Sequence, residues 1–171
     1  ISLDLDHPED SDTYEELSPL LTRIMHQHRQ IDEQLEELHK RQTEFSAVTD
    51  NMSEGLVLLG SDGSILSINH AAMAIFGADS SAVGKDMLTI DRSRQIQELL
   101  NHAMAGKHSE IILSRNGREY QFNASPIVNE GKVNGVALLA FDITEKELME
   151  RQRREFSANV SHELKTPLTS I

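Results

Sequence analysis

Nine positions govern the first part of the chain. Leu17, Leu21, Ile24, His28, Ile31, Leu35, Leu38, Gln42 and Phe45 follow one another in alternating steps of four and three residues. A seam this narrow, held for four heptads, belongs to a coiled coil; a helix lying on a globular core has a wider apolar stripe. A parallel coiled-coil helix is therefore expected over residues 17–50. His28 and Gln42 fall on a positions, where polar side chains fix register and strand number at some cost in stability. A paired His28 would in addition respond to pH. Asp12 and Thr13, each with a glutamate three residues later, offer a capping box for the helix start, which would put Pro19 within the first turns. Residues 1–16 carry seven acids and no Lys or Arg, the pattern of a solvated, self-repelling linker.

Composition narrows the function classes. The net charge of −12 is wrong for a nucleic-acid partner, whose phosphates require a basic surface. With five Phe, two Tyr and no Trp, any core must be aliphatic and modest. A length of 171 residues leaves room for one domain of about 100 residues between flanking helices. With no cysteine there is no thiol nucleophile, no thiolate metal site and no cysteinyl chromophore adduct. No stretch reaches the ~18 apolar residues of a membrane-crossing helix.

Between Gly55 and Asp142 the periodicity changes to that of short strands. LVLLGSDGSILSIN holds two apolar runs around Asp62-Gly63, and SEIILSRNGREYQFNAS holds two more around Asn116-Gly117, both hairpin turn pairs. Tyr120, Phe122 and Ala124 alternate with Gln121, Asn123 and Ser125, as in a half-buried strand. NEGK then turns the chain into VNGVALLAFDI, whose unbroken apolar run suits a central strand. Ala72, Ile75 and Phe76 mark a short helix in between; Ile96, Leu99, Leu100 and Met104 mark a longer one. The fold class is α+β: a five-stranded antiparallel sheet with helices on one face.

This order of elements, the segment Asn69 to Gly77 (NHAAMAIFG) and the triplet Asp142-Ile143-Thr144 resemble a PAS sensor domain, here residues 51–142. The resemblance implies a packed core that is either empty or holds a small ligand, which the residues do not name. Thr144 with Glu147 forms a second capping box, so a helix should start directly at the end of the last strand. With no Gly/Ser linker between them, movement of the strand would reach the helix. Asp142, Thr144 and Glu147 are thus the expected signal-coupling residues.

That helix, residues 143–171, ends in SANVSHELKTPLTSI. On a helical wheel Phe156, Val160, Leu164 and Ile171 gather on one face, and His162 lies roughly opposite, presented to a partner. Imidazole in general titrates near neutrality, so an unprotonated ring nitrogen is abundant at cellular pH and can act as a nucleophile. Glu163 would hydrogen-bond the ring and take up its proton. Pro167 has no N–H and would clash with the carbonyl of Glu163, weakening the helix just beyond the histidine into a kink.

The same string closely resembles the phosphoacceptor box of sensor histidine kinases of two-component systems, built on His-Glu, a basic residue and Thr-Pro-Leu. The resemblance implies that His162 accepts the γ-phosphoryl group of ATP, with Mg, and passes it to an aspartate of a response regulator. Glu163 would be the acid/base, and Thr166 would position water for dephosphorylation of the regulator. It further implies a homodimer and a separate ATP-binding domain of the same protein. Residues 143–171 would then be the first, truncated part of the dimerisation and phosphotransfer helix, inactive alone. The acidic leader and heptad resemble the segment that follows the membrane anchor in Gram-positive sensor kinases of the phosphate-response and cell-wall type, which implies a cytoplasmic location below an upstream anchor.

Other candidates carry less. Gly84-Lys85 lacks the spaced glycines of a phosphate loop. His102 lies on the longer helix, where some PAS domains hold haem, but no second ligand is spaced to support it, and His108 falls just beyond. His26, His28 and His39 show no metal-binding spacing. No cofactor or metal is expected within this stretch itself. A competing reading is a non-catalytic PAS and coiled-coil module for ligand binding or dimerisation, with His162 inert. Binding alone, however, has no need of His-Glu-x-x-Thr-Pro.

Overall fold

The computed structural model describes the backbone of residues 8–169 and the side chains of residues 15–165. Packing divides the chain into two units, one ending at Ala47 and one starting at Val48. The first helix, α1 (Pro8–Asp50), begins before the Asp12/Thr13 box and so takes in much of the segment read as a linker. Proline suits the first helical turn, and an acidic sequence there suits the positive end of the helix dipole. Pro19 consequently lies in the helix interior instead of its first turns. It removes the N–H that would have reached the Glu15 carbonyl. Along the heptad, Leu17, Leu21, Ile24, Ile31, Leu35 and Leu38 are all exposed.

The second unit is built on five strands: β1 (Gly55–Gly60), β2 (Ile65–Ile68), β3 (Ser109–Arg115), β4 (Arg118–Asn129) and β5 (Lys132–Asp142). Their order in the sheet is β2-β1-β5-β4-β3, with every pair antiparallel. The apolar run that suited a central strand is indeed β5. Asn116 and Gly117 both take positive φ, 53° and 75°, which gives the two-residue β3–β4 turn a twist matching its strands.

Helices α2 (His70–Phe76) and α3 (Arg94–Met104) pack on the sheet, α2 against β1 and α3 against β3, β4 and β5. Two 3-10 turns, Ser80–Ala82 and Met87–Thr89, lie between them. Val57, Leu59, Phe122, Val136 and Leu138 point inward from the strands onto Ile96 and Leu99 of α3. Each such side chain contributes roughly 1.5–3 kcal/mol on burial. At the far side Asp91, just before α3, is buried against Arg115 at the end of β3, with Nη2 2.5 Å from Oδ2. That oxygen has no aligned N–H, so the contact is an ion pair more than a hydrogen bond. The Arg115 guanidinium also lies 5.7 Å from the ring centres of both Phe76 and Phe122. The last helix, α4 (Thr144–Thr169), leaves directly from β5.

Gly135 of β5 lies between Gly60 of β1 and Ile127 of β4. A Cβ there would collide with the Leu59 carbonyl oxygen, which cannot swing away as a side chain could. Gly135→Ala is therefore expected to destabilise the unit by about 3 kcal/mol, the upper end of overpacking costs. Urea unfolding followed by circular dichroism measures this, and a change near zero would show that β1 and β5 are more loosely apposed.

Candidate functional site

Two junctions tie the sheet to helices, and each rests on one polar residue. The first is Asn69, the residue before α2, which is 2% exposed. Its Oδ1 accepts from Ala72 N (2.9 Å), capping α2, and from Leu56 N (2.8 Å) at the start of β1. Its Nδ2 donates to the carbonyls of Thr49 (2.8 Å) and Glu54 (2.9 Å). An asparagine side chain has two donors and two acceptor sites, and all four are used. The final turn of α1, the 51–54 loop, β1 and α2 thus meet at a single side chain.

The second junction joins β5 to α4. Asp142 Oδ1 accepts from the Thr144 N–H (3.0 Å) and hydroxyl (2.6 Å), while Oδ2 faces Arg118 Nη1 at 2.7 Å. The Thr144 hydroxyl in turn accepts from Glu119 N on β4 (3.0 Å), and Ile143 N donates to the Glu119 carbonyl (2.9 Å). This corrects the capping box expected from sequence. The Thr144 hydroxyl serves the neighbouring strand, and Glu147 donates its N–H to the Ile143 carbonyl at 2.8 Å. A hydroxyl at the end of a strand has a strand amide within reach, and here that donor holds the acceptor site. Arg118 and Glu119, which complete the clasp, have no signal in the local sequence pattern.

Along α4, His162 and Glu163 are exposed, as are Phe156 and Leu164 of the apolar stripe. His162 is about 27 Å from Thr144 at 1.5 Å per residue, so only the helix itself connects them. The helix runs past position 167 to Thr169. The side chains of Thr166 and Pro167, and Ile171 altogether, lie outside the described residues. His102 is exposed on α3, and His108 is exposed with Nδ1 3.0 Å from Ser125 Oγ. Among the described residues no three metal-ligating side chains converge, and no helix is long and apolar enough to cross a membrane.

A five-stranded antiparallel sheet of this order with helices packed on it is the architecture of a PAS fold. The chain belongs to the PAS fold family, whose model matches residues 49–148. It is 35% identical over 135 residues to the sensor protein kinase WalK of Staphylococcus aureus (strain Newman), covering 74% of this chain and 21% of that protein. It is 26% identical over 162 residues to the sensor histidine kinase WalK of Bacillus subtilis (strain 168), covering 92% and 26%. The chain thus spans about a quarter or less of these relatives. The PAS domain of BvgS from Bordetella pertussis shares the fold alone, with a TM-score of 0.50 and 19% identity over 70% of this chain and 98% of that one.

The clasp makes one group pH-sensitive. The Thr144 hydroxyl, then the Thr144 N–H and Arg118, hold the Asp142 carboxyl below the usual carboxylate range. The folded state therefore favours the ionised form. That stabilisation is complete above the unfolded value of about 4 and is lost as pH falls through the lower folded value. The difference in urea midpoint between the wild type and Asp142→Asn is expected to be full at about pH 7 and to shrink progressively as pH falls below about 4. A difference that stayed constant across that range would mean the carboxylate charge does not hold the junction.

Proposed function

We propose that this chain is the sensing and relay part of a sensor histidine kinase, in which the PAS fold governs the pose of α4 and so the access of substrate to His162. The observation that carries this reading is the placement of SHELKTP on an exposed helix that starts, without a linker, at the clasped end of the central strand. Identity to relatives named as sensor kinases supports it.

In the reaction, a ring nitrogen of His162 attacks the γ-phosphorus of ATP held by a separate domain of the same protein. The N–P bond forms, the bond to the bridging oxygen of ADP breaks, and Glu163 takes the ring proton. Mg, held with ATP by that separate domain, would supply charge neutralisation of the phosphates. The phosphoryl group then passes to an aspartate of a response regulator, and Thr166 orients water when the regulator is dephosphorylated. Two copies pair along the α1 heptad and the Phe156/Leu164 stripe, whose apolar side chains are exposed in the single chain. In the cell this portion lies on the cytoplasmic side of a membrane anchor located upstream.

The gene extended through its ATP-binding domain and incubated with labelled ATP tests the reading. Acid-labile, alkali-stable label is expected, and His162→Gln is expected to abolish it while the circular dichroism spectrum is unchanged. No label from a folded, ATP-binding protein would leave a ligand-binding or dimerisation module with an inert histidine.

A further inference from the structure

Two Asn-Gly dipeptides occur in the chain, Asn116-Gly117 and Asn134-Gly135. The dipeptide is chemically special because glycine has no Cβ to keep its amide nitrogen away from the asparagine side chain. Both asparagines are exposed, so exposure does not separate them. Their backbones do.

Asn116 and Gly117 form the two-residue turn between β3 and β4 and belong to neither strand. The Gly117 N–H donates to no protein group among the described residues, and the Asn116 side chain has no hydrogen-bond partner there. A Cβ built on Gly117 would meet nothing within 4 Å, so the space around the turn is open. Asn134-Gly135, by contrast, lies inside β5. Gly135 is buried, pairs with Gly60 on one side and Ile127 on the other, and sits tight against the Leu59 carbonyl. Its nitrogen cannot swing toward Cγ of Asn134 without breaking the sheet.

That swing is what intramolecular attack requires. The backbone nitrogen of the glycine, having given its proton to base, attacks Cγ of the asparagine. The new N–C bond closes a five-membered imide, the Cγ–Nδ2 bond breaks, and the side-chain nitrogen takes up a proton and leaves as ammonia. Water then opens the ring. Opening at Cγ gives aspartate; opening at the main-chain carbonyl gives isoaspartate, in which the chain runs through the former side chain. No redox partner is needed. Ring closure demands rotation about the Cα–C bond of the asparagine, and an exposed turn tip distorts at a far smaller free-energy cost than a central strand.

We propose that Asn116 is a site of spontaneous modification in the folded protein, converted through the cyclic imide to isoaspartate and aspartate, while Asn134 is protected by the sheet. The product places a new carboxylate between Arg115 and Arg118, the cross-strand pair that flanks the turn. Arg115 already holds Asp91, and Arg118 holds Asp142 at the β5–α4 junction, so the new charge competes for the exposed Arg118. The isoaspartate also adds one carbon to the backbone of a turn whose length sets the β3–β4 register. An effect on signalling rests on the sensor reading; the modification itself does not.

The whole chain, incubated in mildly alkaline buffer and mapped by peptide mass spectrometry, tests the proposal, with the same chain in urea as the reference. In the folded protein the mass gain of an amide-to-acid exchange is expected at Asn116 at least about tenfold faster than at Asn134, because only the turn lets the reacting atoms align. Two isomeric products should separate at position 116 by chromatography. In urea the two positions are expected to react at similar rates. Asn116→Gly keeps a turn that favours positive φ and is expected to remove the main acidic form seen on ion exchange. Equal rates at the two positions in the folded protein, or no gain at Asn116 while the unfolded chain converts fully, overturns the proposal. So does a single product at 116, or an acidic form that persists in Asn116→Gly. The outcome is independent of labelling at His162: a phosphorylated protein with a stable Asn116 overturns the modification site alone, and conversion at Asn116 without phosphorylation overturns the kinase reading alone.

Discussion

All four hydrogen-bonding positions of Asn69 are satisfied inside the protein, and the way the last turn of α1, residues 48–50, meets β1 and α2 depends on them. Its partners are backbone groups of four segments, of which β1 is also joined to Asn69 by the backbone bond from Asn69 N to the Leu56 carbonyl at 3.1 Å. Removing the side chain would leave the Glu54 carbonyl and the Leu56 and Ala72 amides without this partner at a largely buried point, while the Thr49 carbonyl would keep the Met52 N–H at 3.3 Å. Each unmet buried group costs about 1–3 kcal/mol, against a net gain of about 1 kcal/mol for an ordinary hydrogen bond. This asymmetry makes the last turn of α1 a fixed attachment to β1 and α2.

The clasp at the C-terminal end of β5 uses the same logic with charge added. Asp142, Thr144, Arg118 and Glu119 fix the first turn of α4 to both β4 and β5. One pair of strands connects the two attachments. Leu56, whose N–H is held by Asn69, lies opposite Leu139, three residues before Asp142. In the proposed relay, a displacement of α1's last turn alters β1, crosses the ladder to β5 and reaches α4 without passing through any flexible segment.

Local chemistry was readable in the sequence, and long-range chemistry was not. Asp62-Gly63, Asn116-Gly117 and the alternation of Phe122 and Ala124 report on residues a few positions away, and they place the hairpins correctly. The central position of β5 followed from its apolar run. The Asp91–Arg115 pair and the reach of Asn69 back to Thr49 join distant segments, and nothing in the local pattern of either residue names its partner. Thr144 shows the limit most clearly. Its type and its spacing from Glu147 suited a cap, but the strand amide of Glu119 was in reach and took the hydroxyl. The 3-10 turns are too short to carry a period, and the early start of α1 was obscured by acids that suit a helix N-terminus as well as a linker. His162 and Glu163 were legible as a motif and Asp142 and Thr144 as residues of the junction, whereas their partners Arg118 and Glu119 were not.

The relay is tested most directly at Thr144. In the protein extended through its ATP-binding domain, Thr144→Val keeps the side-chain shape but removes the hydroxyl that joins Glu119, Asp142 and α4. The measurement is the initial rate of phosphoryl incorporation at His162, made alongside hydrogen exchange at Glu119 N. The expected result is faster exchange at Glu119 together with a phosphorylation rate changed at least about threefold, since loss of the part-buried hydrogen bond from Glu119 N shifts a two-state equilibrium by roughly 1 kcal/mol. Faster exchange with an unchanged rate would contradict the account, because α4 would then carry His162 independently of the sheet.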